Sequence, residues 1–332
     1  MKLGVDLFSL RFTGWNAFQY LDYVHKIGLQ VAMFPDPAFL ESLEESYLQG
    51  VKAHADGLGL TLEVGMYSIC PTSTSFSDQR GTAVEQLREM LNVAKTLGSP
   101  VLRTLLGSNA DRRTPTISLR THIDGLLATL RDVRSQALDL GIKIALENHA
   151  GDLLGRELAA VIEEAGPDYV GACIDSGNPV WVAESPFVTL QHLAPYVLMS
   201  HIRDSAVWPH PQGAVAQWVA MGDGTIGIDR WAQLYQAQCP QANFTLEIIT
   251  SLAPKVLDYL NPDYWAVYLD YPAAEFAQFL QLVREGKPHT QPTLTADWGK
   301  ITPEIQAALA QESCAQLEKS VVYCKDVLGI GG

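Results

Sequence analysis

Short apolar runs alternate with segments of helical periodicity along most of this chain. Eight of the runs have the length and the Val, Ile and Leu content of buried parallel strands. They are residues 3–9, 29–34, 60–68, 101–107, 143–149, 170–175, 196–204 and 244–249. Between them, apolar residues recur every three or four positions at residues 16–27, 40–58, 82–97, 118–140, 156–165, 186–194 and 229–237. This alternation predicts an α/β protein, and eight repeats predict a (β/α)₈ barrel, or TIM barrel.

The long connections follow strands rather than helices. Residues 68–80, 107–117 and 204–229 are polar and rich in Gly or Pro, whereas residues 250–272 are aromatic. Long loops at the carboxyl ends of barrel strands are where TIM barrels carry their active sites. We therefore expect the functional residues at this end of the barrel.

The end of the chain has a different composition. It begins with a proline-rich stretch and has a helical pattern over residues 302–328. We therefore predict a catalytic barrel over residues 1–285. Residues 286–332 are expected to form a C-terminal helical extension that packs on the barrel or on a neighbouring subunit.

Four polar residues end four successive apolar runs, and they are Glu147, Asp175, His201 and Glu247. Taken singly, a glutamate at a strand end is often solvated, and a lone histidine in a strand is often structural. Taken together, they place charges inside hydrophobic runs, where an unpaired charge is costly. Three carboxylates and one imidazole suit a divalent cation, so we predict one bound Mn²⁺, Mg²⁺ or Co²⁺.

Strand alternation places further polar residues beside this set. Residues two apart in a strand share a face, so His149 is expected beside Glu147 in the barrel mouth, with Asn148 pointing outward or upward. By the same rule, Arg203 shares a face with His201. His149 is a candidate second base, substrate donor or support for the metal carboxylates.

Other residues at the same end are open to two interpretations. Arg103 is a candidate for substrate binding or for a salt bridge at the barrel rim. Asp204 is a candidate to hold His201 or to cap the following loop. Aromatic side chains in or beside the loops suit the apolar faces of a sugar, although each could serve packing alone. They are Trp15, Tyr67, Trp208 and Trp218.

Composition narrows the classes of function. The 332 residues carry a formal net charge of −14, which argues against a nucleic-acid surface because phosphate binding relies on clustered Lys and Arg.

The start of the sequence lacks a signal-peptide pattern, and no apolar run has the length of a membrane span. Five cysteines without a CxxC pair are typical of reduced thiols, and Cys173 is expected inside the barrel. We therefore expect a cytoplasmic protein without a nucleic-acid or membrane partner.

The sequence lacks the features of two common kinds of phosphate-binding site. Residues 222–227 match GxGxxG, but a dinucleotide site needs a strand before the motif and a helix directly after it. No Gly-rich turn leads into a helix with a nearby Lys, as a phosphate site usually requires. The sequence therefore predicts neither a dinucleotide site at this motif nor a phosphate cradle.

The motifs around the four metal candidates resemble the xylose isomerase-like TIM barrels. Glu147 lies in LENH, Asp175 in IDSGN and His201 in HIRD, and GDGTIGID precedes Glu247. The resemblance covers roughly residues 1–285. It implies a metal-dependent isomerase or epimerase of an unphosphorylated keto sugar or polyol-derived ketone. In the epimerase branch, the glutamates that match Glu147 and Glu247 bind the metal and carry a proton through a cis-enediolate.

Two departures and two alternatives limit this assignment. Ketohexose 3-epimerases carry a histidine where this chain has Asn178, and an arginine where it has Val207. A lyase on the same scaffold remains an alternative, acting on a keto-inositol, a dehydroshikimate or a 3-keto-glycoside, with His149 as acid or base. A non-catalytic sugar-binding barrel is a remoter one. A small-molecule carbohydrate is the expected partner, with a homo-oligomer as a further possibility.

Overall fold

Parallel strands and surrounding helices form the body of the computed structural model, which describes residues 1–331. The strands in this part of the chain are Leu3–Asp6 (β1), Val31–Phe34 (β2), Thr61–Ser68 (β3), Val101–Leu105 (β4), Lys143–Glu147 (β5), Val170–Asp175 (β6), Val197–His201 (β7), Asp204–His210 (β8), Gly213–Val219 (β9), Phe244–Leu246 (β10) and Lys255–Leu257 (β11). The α-helices are Ala17–Lys26 (α1), Glu45–Gly57 (α2), Ala83–Leu97 (α3), Asn109–Arg113 (α4), Leu119–Leu140 (α5), Gly155–Ala165 (α6), Pro186–Leu193 (α7), Ile228–Gln238 (α8), Ala273–Glu285 (α9) and Pro303–Asp326 (α10).

Eight of the strands form a parallel barrel. Their order is β10–β1–β2–β3–β4–β5–β6–β7. The circle closes beyond β7, where the Ile202 amide donates to the carbonyl of Thr245 at 2.8 Å and the Glu247 amide donates to the carbonyl of Ile202 at 2.9 Å. The predicted (β/α)₈ barrel is therefore confirmed, with β10 as its eighth strand.

The barrel interior is packed with side chains. A small apolar cluster inside it consists of Met33, Val101, Ala145, Cys173 and Met199. Cys173 is fully buried there, which agrees with its expected role as a small apolar residue. The larger apolar core lies between the strands and the surrounding helices, as the doubly buried strands of a parallel barrel require.

Local signals explain where the first barrel helix begins and ends. The Asn16 side chain accepts from the Gln19 amide, and the Gln19 side chain accepts from the Asn16 amide, so a capping box begins α1. After α1, Gly28 has a φ of +73°, a left-handed conformation that glycine adopts without steric cost. The expected start at Asn16 and stop at Gly28 therefore agree with the structure.

Two regions differ from the sequence-based expectation. Residues 204–229, expected as a polar connection, contain the antiparallel hairpin β8–β9, which pairs with β11 from the aromatic segment. Residues 273–285, for which no helix is predicted from the sequence, form α9. The hairpin was missed because Pro209, Pro211 and Gly213 are typical of a loop, whereas here they lie at and beside the turn between two paired strands.

The C-terminal helix α10 packs on the barrel. Glu318 accepts a hydrogen bond from the Tyr23 hydroxyl of α1 at 2.8 Å, and Lys319 pairs with Asp223 in the segment before α8 at 2.6 Å. Leu317 and Val321 are buried on its inner face. The helix therefore lies between α8 and α1, while the division at residue 285 stays a prediction. No helix within residues 1–331 combines the length and apolar character of a membrane span.

Replacing Leu317 by Ala should lower the free energy of unfolding by about 2–5 kcal/mol, because a fully buried side chain leaves a cavity between α10 and the barrel. Val322→Ala is the matched control on the same helix. Its side chain is 56% exposed, and the expected change is below about 0.5 kcal/mol. Denaturant unfolding followed by circular dichroism measures both, and equally small effects would argue against an integral α10.

Candidate active site

The four predicted metal ligands meet at the carboxyl end of the barrel. Glu147, Asp175 and His201 are the last residues of β5, β6 and β7, and Glu247 directly follows β10. Each offers one ligand atom, and these four atoms all lie within 4.8 Å of one another. All four residues are buried. The barrel thus brings together side chains that are 26 to 100 positions apart in sequence.

His201 is directed at this group by both of its ring nitrogens. Nδ1 lies 3.4 Å from carboxylate oxygens of Glu147 and of Glu247, and Nε2 lies 3.3 Å from the Asp6 carboxylate. Both nitrogens are buried and lack a hydrogen-bond partner with good geometry. Burial raises the pKa of Asp6 to about 7, although the neighbouring His201 lowers it. The Nδ1 atom therefore faces the carboxylates as an unsatisfied ligand.

The donor set fits a divalent cation. Three carboxylates and one imidazole nitrogen are the ligand types that Mn²⁺, Zn²⁺ and similar ions accept. A cation among them would offset the cost of burying like charges and would coordinate Nδ1 of His201, which lacks a hydrogen-bond partner. Arg203 is an internal competitor, because its Nη2 donates to both Asp175 and Glu247. The guanidinium and a bound ion thus use some of the same oxygens.

Asp175 is held rigidly from two sides. Its Oδ1 accepts from the backbone amides of Gly177 at 2.6 Å and Asn178 at 2.7 Å. The Asn148 side chain accepts from the Asp175 amide at 2.8 Å and donates to its carbonyl at 3.0 Å. Asn148 therefore links the end of β5 to the end of β6. A buried strand end needs partners for its backbone groups, and this amide supplies both.

Glu147 is clamped at both carboxylate oxygens. Arg103 donates from Nε to Oε2 at 2.5 Å, and Asn178 donates from Nδ2 to Oε1 at 3.1 Å. Burial alone would raise the pKa of Glu147, but Arg103 and His201 hold it well below the ordinary value. Glu147 is therefore an ionised and fixed carboxylate.

A cavity of about 480 Å³ opens above the metal candidates. Its floor is polar and is formed by Asp6, Arg103, His149, Asn178, Arg203 and Glu247. Its wall is largely aromatic and includes Phe8, Phe39, Tyr67, Trp181, Trp218 and Trp298. A polar floor beneath an apolar wall is the usual arrangement of a small-molecule site.

His149 presents one free nitrogen at this floor. Its Nδ1 lies 2.7 Å from the Gly107 carbonyl, which only accepts, so Nδ1 carries the proton and Nε2 is the basic atom. Asp152, missed in the sequence, accepts from the Gly107 amide at 3.0 Å and from the His149 amide at 3.1 Å. Burial lowers the pKa of His149. The ring is therefore positioned as a neutral base.

Several sequence-predicted residues have other roles. Trp15 lies outside the cavity, with its ring centroid 4.9 Å from that of Tyr23. Trp208 also lies outside it, in β8 opposite Val215. Asp204 caps the following loop by accepting from Gly222 and Gly224 amides at 3.0 and 2.9 Å. It does not hold His201, whose Nε2 faces Asp6 instead.

The cavity wall contains residues that the sequence analysis did not select. Phe8, Phe39 and Trp181 follow β1, β2 and β6, and Trp298 comes from the C-terminal segment. Trp181 stacks on Trp218 with ring centroids 4.0 Å apart. The position of Phe8, Phe39 and Trp181 after strands is a signal that could have found them. Trp298 has no such signal, because only the folded tail brings it to the barrel mouth.

The sequence matches a known family model and one curated relative. The family model of the xylose isomerase-like TIM barrel matches residues 21–261. A curated relative, the 3-oxo-isoapionate decarboxylase of Pectobacterium atrosepticum, is 27% identical over 186 residues. That match covers 56% of this chain and spans 60% of the relative's length.

Two solved structures show the same fold at low sequence identity. One is D-psicose 3-epimerase from Clostridium cellulolyticum H10 with D-tagatose, 15% identical, with a TM-score of 0.63 over 99% of each chain. The other is 3-keto-D-glucoside 4-epimerase from E. coli, also 15% identical, with a TM-score of 0.59. That likeness covers 85% of this chain and 98% of the other.

His201→Ala and Asp175→Ala should each reduce bound Mn²⁺ from about one ion per chain to a small fraction, because each removes a ligand from a four-residue set. Equilibrium dialysis followed by elemental analysis measures the stoichiometry. His192→Ala is the control, since this histidine pairs with Glu275 on the barrel exterior. Unchanged metal content in both ligand variants would disprove the site. Stabilisation of the fold by Mn²⁺ should disappear with the ligands.

Proposed function

The chain belongs to the xylose isomerase-like TIM barrel family, and on this premise we propose that it is a divalent-metal-dependent isomerase or epimerase of an unphosphorylated keto sugar or polyol-derived ketone. The reaction would pass through a cis-enediolate. The observation that supports this best is the convergence of Glu147, Asp175, His201 and Glu247, the last of which lines the 480 Å³ cavity. The polar floor would take the reacting carbons, and the aromatic wall would cover the apolar faces of the sugar.

The four residues would hold the ion, and neighbouring groups would keep them in place. A divalent cation at this position would stabilise negative charge that develops on neighbouring substrate oxygens. Asn178 and Arg103 keep Glu147 in place, and the Gly177 and Asn178 amides do the same for Asp175. The chain's own contribution is thus a fixed set of ligands that needs little reorganisation.

Glu247 is the better of the two candidate proton carriers. It lines the cavity, and only its Oε2 is engaged by Arg203. No group within residues 1–331 hydrogen-bonds its Oε1. Glu147, clamped at both oxygens, is a ligand first. A single base can move a proton between adjacent carbons, whereas inversion at one carbon needs a second group on the opposite face. His149 Nε2 is our candidate for that second group.

A lyase or decarboxylase is the second candidate, and two observations favour it. The curated relative is a 3-oxo-isoapionate decarboxylase, and two arginines lie on the cavity floor, Arg103 and Arg203. Loss of carbon dioxide leaves an enolate that needs one proton donor, so Glu247 or His149 would suffice. β-Elimination needs a base that forms the enolate and an acid that protonates the leaving group, and Glu247 and His149 together could supply both. Product mass separates the reactions, because isomerisation conserves mass.

Deuterium uptake tests the shared step. The Mn²⁺-loaded protein is incubated in D₂O with keto sugars and oxo sugar acids, and the products are analysed by NMR and mass spectrometry. Deuterium at a carbon next to a carbonyl, or at the carbon that loses carbon dioxide, is expected for one compound class. A metal-loaded protein that exchanges no carbon-bound hydrogen in the whole panel would instead favour a sugar-binding barrel.

Glu247→Gln should lower turnover by about 10²-fold or more, because the amide cannot carry the proton. Glu147→Gln should mainly weaken metal binding, since Arg103 and Asn178 already engage both of its oxygens. Steady-state kinetics and metal content, measured together, separate the two effects. Near-normal turnover in metal-loaded Glu247→Gln would move the proton transfer to His149.

An unphosphorylated substrate should be preferred over its phosphate ester. The upper cavity wall is aromatic and apolar, and it offers no Gly-rich helix start for a phosphate group. Values of kcat/KM for a keto sugar and its terminal phosphate ester provide the test. A strong preference for the ester would contradict the prediction and direct attention to Arg112 and Arg113 as anion contacts.

A further inference from the structure

We infer that Arg203 is a specificity-determining residue that binds a carboxylate at the reacting end of the substrate. The enzyme would then act on a keto sugar acid in preference to a neutral keto sugar. This inference rests on the proposed function, because it assigns a substrate class to the same cavity. It is supported by the unused Nη1 of Arg203 and by the way the protein holds this side chain in place.

Arg203 has hydrogen-bond donors that the protein does not use. The residue is 2% exposed, and its guanidinium forms part of the cavity floor. Nη2 donates to Asp175 and Glu247, but Nε is buried without a partner. Nη1 forms no hydrogen bond with residues 1–331. An arginine has five N–H groups, and unpaired buried donors are unfavourable. Nε lies against Gly177 and is closed to solvent, whereas Nη1 is not fully buried, so an acceptor in the cavity would pair with Nη1.

The other arginine on the floor differs in this respect. Arg103 directs Nε and Nη2 at Glu147 and donates from Nη1 to the Met66 carbonyl at 3.3 Å. Each of its nitrogens therefore has a protein acceptor. Of the two guanidinium groups that reach the cavity, Arg203 is the one with capacity for a ligand oxygen.

Contacts with Trp218 and Gly177 hold the side chain of Arg203 in place without a ligand. Its guanidinium carbon lies 4.3 Å from the ring centroid of Trp218, and Trp218 is fixed by stacking on Trp181 and by donating to the Gly177 carbonyl at 2.9 Å. A Cβ at Gly177 would lie 2.3 Å from Cγ of Arg203, so a glycine is needed here. Such preorganisation reduces the entropy lost when the guanidinium binds a planar carboxylate.

The test compares two probes that differ in one group. D-Gluconate and D-glucitol share a polyol chain, and gluconate has a carboxylate where glucitol has a hydroxymethyl group. Isothermal titration calorimetry on the Mn²⁺-loaded protein, without free metal, should give at least about tenfold tighter binding for gluconate, as expected for one charge-assisted pair. Equal affinity would overturn the inference.

Variants assign the preference to Arg203. Arg203→Met should abolish it, and Arg203→Lys should reduce it because an ammonium lacks the planar group that stacks on Trp218. Arg120→Met is the matched control, since it removes the same charge from the exposed face of α5. A gluconate preference that persists in Arg203→Met with full Mn²⁺ content would overturn the inference, because the metal ion alone would then account for binding of the carboxylate.

A second variant is needed because Arg203 contacts two of the metal ligands, so its replacement could itself disturb metal binding. If Arg203→Met fails to fold or to retain Mn²⁺, Trp218→Leu decides, because it removes the brace without touching Asp175 or Glu247. It should reduce the preference for gluconate over glucitol at unchanged Mn²⁺ content, and an unchanged preference would count against the inference. Deuterium exchange is read separately. Gluconate preference without exchange refutes only the proposed reaction, and exchange without the preference refutes only this inference.

Discussion

Burial of like charges is the constraint on which this site depends. The carboxylates of Asp6, Glu147, Asp175 and Glu247 lie inside the carboxyl end of the barrel, where unpaired ions are strongly unfavourable. Nearby arginines and backbone amides offset part of that cost, and the free Nδ1 of His201 marks where a further cation would bind. The neighbouring contacts, from Asn148 at the strand ends to Asn178 beside Glu147, hold these acids in place.

This constraint also explains how the two glutamates differ. Arg103 and Asn178 fix Glu147 beneath the floor, whereas Glu247 keeps one oxygen toward the cavity. The two glutamates therefore differ in their freedom to carry a proton in the proposed reaction. His149 is the other candidate base that lines the cavity. Arg203 joins both aspects, because it balances the carboxylates and retains donors for a ligand.

Much of the barrel could be predicted from the sequence, because parallel strands buried on both faces leave apolar runs that alternate with amphipathic helices. The metal candidates were recognisable for the same reason, since Glu147 and Asp175 interrupt such runs at their ends. The hairpin at residues 204–219 and the cavity wall at Trp298 were not recognisable. The hairpin lies in a segment whose Pro and Gly content is typical of a loop. The place of Trp298 in the cavity wall and the hydrogen bonds between Asn148 and Asp175 depend on contacts between residues far apart in sequence.

The central claim is that a divalent cation binds among Glu147, Asp175, His201 and Glu247. Anomalous diffraction from crystals grown with Mn²⁺, recorded on both sides of the manganese absorption edge, tests it directly. We predict one strong peak per chain, within about 2.0–2.3 Å of one atom from each of the four residues. A peak elsewhere, or none at saturating Mn²⁺ while Arg203 still bridges Asp175 and Glu247, would contradict a metal centre in this barrel.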